Sequence, residues 1–402
     1  MDAAANRVQP GLLYKRIHSI LRPNCFLALL LGLGVCLFCL PLQAQTATTG
    51  ASLSFPLKYT EKSPSLSCYI EPGKQEVKFR VEPDFGKDKV LRRELTIGPN
   101  KDDFLGFAAD LTRRSLYLDL NRNLDLTDDP GGVRQGEGRG ESVVFKDIRL
   151  NFQFNGISRS YSIAAFYCYG SDCYGEITSS YQGEIELYGQ KWRLEVQDNL
   201  DGQINKQDQF LIAPATSGES PTYRGMQVPK KLFFGGHLYQ LNLAFRAGQE
   251  DSLLTADFAE VSASLGELVL DGQFVRRLVL EGDGLAILDS PTQPILLPAE
   301  KYQIATIYLQ SPPHKTMFVS GDVSQMPKFS IAATTPFRLK AGGPLQSSVT
   351  AVSRGSSLQV NYLLKGVGGE PYSASDTARD KPPKLAIYQG DRLLKSDDFQ
   401  FG

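Results

Sequence analysis

Residues 116–129, LYLDLNRNLDLTDD, carry six Asp or Asn in fourteen positions, and Asp119, Asn121, Asn123 and Asp125 fall on alternate residues. Oxygen donors so spaced suit a hard divalent cation such as calcium, which collects roughly six to eight oxygens. A tight bend midway turns the donors and one backbone carbonyl onto one point, so Gly is favoured there. A second stretch, QDNLDGQINKQD at 197–208, offers Asn199, Asp201, Gln203 and Asp208 around Gly202. Aligning 117–125 with 195–203 sets Asp119 over Gln197, Asn121 over Asn199, Asn123 over Asp201 and Leu124 over Gly202. That echo would fit a duplicated unit of about eighty residues. The competing reading is a polar hairpin turn, since Asp-Gly or Asn-Gly between strands needs no metal. LDGQ at 270–273 is read in that way. Dense carboxylates nevertheless repel one another unless a cation or solvent relieves them.

Both stretches resemble the EF-hand-like DxDxDG calcium loops of exported bacterial proteins, over about a dozen residues each. The resemblance implies Asp119, Asn121 and Asn123 at positions 1, 3 and 5, with Asp125 at 7, and Asp128 or Asp129 closing the sphere. It departs at position 6, where Leu124 replaces Gly, and at 12, which is Pro130. In the second loop it implies Asn199, Asp201 and Gly202 at 3, 5 and 6, Gln203 at 7 and Asp208 at 12. Gln197 is neutral at position 1, where neighbouring Asp198 is a substitute. The expected ion is calcium, bound weakly because so many ligands are uncharged.

Other chemistry is sparse. His237 and His314 lack Cys, His or acidic neighbours at zinc spacing, and neither HExxH, a nucleophile elbow, a P-loop nor a dinucleotide-binding Gly pattern occurs. His237, after Gly235 and Gly236, reads as a structural residue at a strand start. Glu71, Glu184, Glu195 and Glu281 could supply the carboxylate pair of a glycoside hydrolase, although solvated strand faces account for them more simply. Tyr117, Tyr167, Tyr169, Tyr174 and Trp192 could form a sugar-stacking face, although core or edge positions are the commoner use of such residues.

The elements that must position these groups read as strands. EVKFRVEP, SVVFKDI, KWRLEVQD, HLYQLNLAF, YQIATIYLQ and similar segments alternate β-branched or aromatic residues with polar ones, with Gly, Asn, Asp or Pro near most ends. DSLLTADFAEVSASL has weak helical character and reads equally as a strand pair. The expectation is an all-β chain of antiparallel sandwiches or barrels with few or no helices. A β-domain with both acidic loops is expected over 51–262, a small β-sandwich over 266–329 and a C-terminal sandwich-like unit over 330–402. LPAEKY before an alternating strand gives the middle unit a resemblance to prealbumin-like and carboxypeptidase-regulatory-like sandwiches.

Residues 1–44 differ from the rest. Lys15, Arg16 and Arg22 precede the apolar run CFLALLLGLGVCLFCL, and PLQAQ follows, as in a secretory signal peptide cleaved after Ala44. The run of sixteen residues is short for a membrane span. The segment carries four basic residues and one acidic residue, so its removal takes the net charge from −1 to −4. With no block of Lys or Arg elsewhere, a nucleic-acid partner is not expected. Cys68, Cys168 and Cys173 remain, and in an oxidising compartment CYGSDC could close a disulfide across a turn, leaving Cys68 alone. The sequence therefore predicts an exported protein, periplasmic or extracellular. Its role would be binding or structural and non-catalytic, with a carbohydrate or protein of the envelope or exterior as ligand. The alternative is a hydrolase of extracellular polysaccharide with structural calcium.

Overall fold

The computed structural model describes residues 52–398, apart from 64, 99, 155, 216–222, 247–252, 311–316, 356 and 375–383. The signal-like segment and His314 lie outside the described residues. Among those described, the regular structure is entirely β, with no helix. The fold class is all-β.

Side-chain alternation sets the faces. Strand Ile157–Tyr169 buries Arg159, Tyr161 and Ile163, then Phe166 and Cys168. The phase slips by one residue at Ala164, where pairing to Asp172–Ile177 shifts from Glu176↔Ala165 to Ile177↔Ile163. In Ser142–Phe154 the register with this strand is the same on either side of Asp147, which takes φ 54°. The shift at Ala164 bends the strand and re-aims everything beyond it. The strand thereby serves two surroundings: its C-terminal half faces an apolar core, and its N-terminal half faces the second acidic loop.

That strand belongs to a five-stranded sheet, ordered Cys68–Ile70, Asp172–Ile177, Ile157–Tyr169, Ser142–Phe154, Glu137–Arg139. A four-stranded sheet, Val90–Thr96, Phe104–Asp110, Ser115–Leu118 and Val133–Gln135, shares its core. Leu105, Phe107, Phe145, Ile163 and Phe166 fill the space between the sheets, and Leu200 of the second loop joins them. The Phe107 and Phe166 rings meet edge to face at 5.3 Å, which adds about 0.5–1.5 kcal/mol to their burial. Cys168 and Cys173 sit opposite each other across the hairpin and form a disulfide.

The long sheet begins at Met226–Gln227 and runs through Gln209–Pro214, Gln190–Gln197 and Ser180–Leu187 to Ser52–Thr60. Ser52–Thr60 serves two neighbours: Lys58–Thr60 pair with Ser180–Gln182, while Ser52–Leu57 pair with Leu254–Ala259. The sheet curls about this strand, because Trp192, Phe210, Phe234, Tyr239 and Phe258 from both sides of it share one core. It continues through His237–Phe245 and Lys231–Phe234, then crosses to Leu285–Asp289 by the parallel pairs Leu232↔Leu285 and Phe233↔Ala286. Beyond, Val275–Glu281 and Lys301–Gln310 pack against a small sheet of Leu265–Leu270, Ile295–Pro298 and Phe337–Leu339. The sheet ends in the ribbon Ser357–Lys365 and Gln346–Arg354.

Candidate cation-binding loops

Each acidic stretch leaves the end of a strand, Ser115–Leu118 in one case and Gln190–Gln197 in the other. In the first loop Asp119 is buried, and its two carboxylate oxygens accept the backbone N–H groups of Asn123 and Leu124, each at 3.0 Å. Asn121 Oδ1 accepts from Asn123 N, Asn123 Oδ1 from Asp125 N, and Asp125 Oδ1 from Thr127 N. Asp129 Oδ1 accepts from Asn121 N at 2.9 Å. Asp128 takes the side-chain amides of Asn121 and Asn123, at 3.0 and 2.8 Å. Asp125, facing Thr127, is held below the usual carboxylate range by those hydrogen bonds.

The second loop repeats this chain of turns. Asn199 Oδ1 accepts from Asp201 N, Asp201 Oδ1 from Gln203 N, and Asp208 Oδ1 from Asn199 N at 2.9 Å. The backbones also match. Arg122 and Leu124 have φ of 59° and 65°, and their counterparts Leu200 and Gly202 have 84° and 72°. Leu124 therefore adopts the left-handed conformation that the Gly of such loops supplies, so its side chain does not abolish the bend. Asp129, rather than Asp128, occupies the place of Asp208, since each accepts the N–H of the Asn at position 3. Asp128 instead braces the two Asn side chains.

The loops differ in how much negative charge converges. Among the described residues, Asp198, Asp201 and Asp208 bring carboxylate oxygens within 4.8 Å of one another. Asp198 and Asp208 are buried, Asp201 half-buried. Burial pushes the Asp208 carboxyl up to about 8, reinforced by the Asp198 charge. Burial likewise pushes Asp198 up to about 6, opposed by the Tyr161 hydroxyl and the Arg159 guanidinium. Tyr161 donates to Asp198 Oδ2 at 2.9 Å, and Arg159 Nη1 lies 3.3 Å from the same oxygen. Arg159 also donates to the Gly202 carbonyl and lies 3.5 Å from the centre of the Phe245 ring. Arg159 thus pairs with one member, Asp198, of a cluster of three carboxyl groups. Asp119 and Asp129 of the first loop are also raised, by burial first.

Of the nine expected ligands, Asp201 and Asp208 converge with Asp198, the neighbour of Gln197. Gln197 is fully buried and spends its amide on the Ile177 and Ser179 carbonyls. Asn199 and Gln203 serve the turn through Asn199 Oδ1 and the Gln203 N–H. Asp119, Asn121, Asn123, Asp125 and Asp128 all lie in the hydrogen-bonded ring of the first loop. Arg159 and Tyr161 were not legible as loop partners. Only their unusual placement at inward positions of a strand hinted at a buried charge.

The other candidate chemistry resolves differently. Glu195 is fully buried and accepts from Ser63, Ser180 and Gln182, which makes it a structural acceptor and not a solvated residue. In the pairing registers Glu184 lies opposite Arg193, Glu195 opposite Gln182 and Leu211, and Glu281 opposite Leu285 and Gln303. None of them faces another carboxylate there. His237 Nδ1 lies 2.9 Å from Glu260, under the stacked ring of Tyr188 at 3.6 Å. Trp192 is a core residue, while Tyr167 and Tyr174 stack at 4.8 Å on the outer face of the five-stranded sheet. The Cys68 thiol is pushed up to about 12, by burial first and then by the Asp198 and Asp208 charges, which makes it a poor nucleophile. No described helix is long and apolar enough to cross a membrane. Comparison of the chain with protein-family models, with curated proteins and with solved structures finds no match.

Proposed function

We propose that the protein is an exported, non-catalytic β-protein whose acidic loops take calcium and thereby stiffen the strand connections of a binding or structural scaffold. The observation that carries this reading is the convergence of Asp198, Asp201 and Asp208 in a loop whose backbone is repeated, turn for turn, at 119–129. Oxygen-only donors, no thiolate or imidazole among them, suit a hard cation over zinc or copper. Both loops hold strand ends that carry core residues, Leu118 on one side and Val196 with Leu200 on the other. A bound ion would therefore act on the sandwich itself. The ligand of the scaffold is taken to be a carbohydrate or protein of the cell envelope or exterior.

The test is titration calorimetry and thermal melting of the exported chain in calcium, magnesium or chelator. A site that binds only the folded state stabilises it by about 2.7 kcal/mol at a hundred-fold excess over its dissociation constant. Calcium in the millimolar range should raise the melting temperature, and magnesium should do less because it sheds water reluctantly. No heat and no shift with calcium would leave the loops as polar turns. Intact mass of the exported chain should place its first residue near Gln45; a full-length chain in the membrane fraction would contradict export as a cleaved product.

A further inference from the structure

The ribbon that ends the long sheet carries an unusual edge. Gln346–Arg354 pairs through all nine residues with Ser357–Lys365 on one side, and no described strand pairs with it on the other. Its outward row of backbone N–H and C=O groups is a template for another strand. Natural edges are normally guarded by Lys, Pro, a bulge or great shortness. This one, QSSVTAVSR, is nine residues long, has no Lys or Pro, and pairs without a register shift. Val349 and Val352 are 42% and 48% exposed.

We infer that this edge is a homodimerisation site, at which the same strand of a second copy adds antiparallel about a two-fold axis through Thr350. The sequence suits itself in that register. An axis perpendicular to the sheet keeps each face on its own side, so residues of like parity must oppose one another. Thr350 is the midpoint of Gln346–Arg354, and only the register centred on it pairs the strand along its whole length. Val349 then faces Ala351 of the second copy, and Thr350 faces Thr350. Gln346 faces Arg354, the one charged residue of the strand, so no like charges meet.

The register also joins two apolar faces. Within the ribbon Val349 lies opposite Tyr362, and Ala351 opposite Val360. In the dimer each row reads Tyr362, Val349, then Ala351 and Val360 of the second copy, and the two-fold repeats it. Cross-strand pairs of this kind contribute about 0.2–1 kcal/mol each. A two-stranded ribbon is marginal alone, and the second ribbon makes it the inner part of a four-stranded arrangement.

The test uses the whole exported chain. Sedimentation across about a hundred-fold range of concentration should show the wild type passing from the mass of one chain to twice that mass. Thr350→Lys and Thr350→Glu should each remain at the mass of one chain, because like charges would meet at the axis. Circular dichroism and melting of each should match the wild-type monomer, since Thr350 is exposed. An equimolar mixture of the two variants should recover the doubled mass, as opposite charges then face each other. A wild type that stays at the mass of one chain overturns the inference. So does a dimer that survives both substitutions, or variants that fail to recover on mixing.

Discussion

Asp198 and Asp208 show what burial does to two neighbouring carboxyl groups. Burial pushes them up to about 6 and about 8, against 3.8 for an ordinary Asp. Between those values the folded chain holds more protons than the unfolded one, so stability falls as pH rises through that window. The carboxylates held low, among them Asp125, Asp283 and Asp322, act in the opposite sense, but their contribution is lost only as pH falls below about 4. From pH 5 to 8 the buried pair, with Asp119 and Asp129 raised in the same sense, therefore gives a downward slope. In chelator the urea midpoint should fall across that range and level off above about pH 8. With calcium in place of protons the fall should be shallower. A midpoint that rises with pH in chelator would contradict the burial of the pair. The first loop gives a second prediction at the same scale. Asp129 holds the Asn121 N–H as Asp208 holds that of Asn199, while Asp128 only braces side-chain amides. Asp129→Asn should remove the first loop's share of the calcium heat, and Asp128→Asn should leave most of it. Alternate Asp and Asn were plain in the sequence. Which of two adjacent carboxylates closes the ring was not, because that depends on the turn after Leu124 and not on residue type.

At the scale of elements, alternation made most strands legible, but EVKFRVEP at 76–83 forms no strand and contributes only the isolated bridge Val81↔Asp125. DSLLTADFAEVSASL, with its helix-like composition, forms strand Leu254–Glu260 because both of its neighbours in the sheet offer a full register of partners. Tertiary pairing outweighs a weak local preference there. Contacts between distant elements were not legible. Arg159 lies on strand Ile157–Tyr169, yet it reaches Asp198, thirty-nine residues on, and stacks over Phe245. No local pattern encodes that meeting; an arginine at an inward strand position shows only that some partner exists. The guanidinium holds the second loop against the sandwich, and Asp198 would be left buried without a counter-charge if it were removed. Arg159→Met should cost about 3–5 kcal/mol in chelator, the usual penalty for breaking a buried pair from one side. Calcium should restore part of the loss if the ion shares the task of neutralising the loop. Denaturant unfolding of the variant with and without calcium measures both terms.

At the scale of the molecule, backbone pairing runs through the boundary that composition suggested near 262–266. The parallel pairs Leu232↔Leu285 and Phe233↔Ala286 carry the long sheet from one half of the chain to the other. Arg277 reinforces the junction. It is 1% exposed, makes two hydrogen bonds to Asp289 at 2.7 and 2.8 Å, donates to the Ile212 carbonyl at 2.9 Å and lies over the Tyr223 ring at 3.7 Å. Strand Val275–Glu281 is thereby tied to Gln209–Pro214, sixty-five residues earlier. FVRRLVLEG reads as a strand, and nothing in that pattern says which of its adjacent arginines, half-buried Arg276 or buried Arg277, turns inward. Removing one partner of such a pair strands the other, whereas replacing both with apolar groups of similar volume is often near neutral. Arg277→Met should therefore cost about 3–5 kcal/mol by leaving Asp289 and the Ile212 carbonyl without a donor. The double variant Arg277→Met with Asp289→Leu should recover much of that loss, though not the part owed to the Ile212 carbonyl. A junction made of continuous sheet also transmits the damage. Melting followed by Trp192 fluorescence, in the first half, should shift together with far-ultraviolet dichroism, which reports every strand. If the Trp192 signal keeps its wild-type midpoint while the dichroism moves, the two halves melt independently, and the sheet does not couple them.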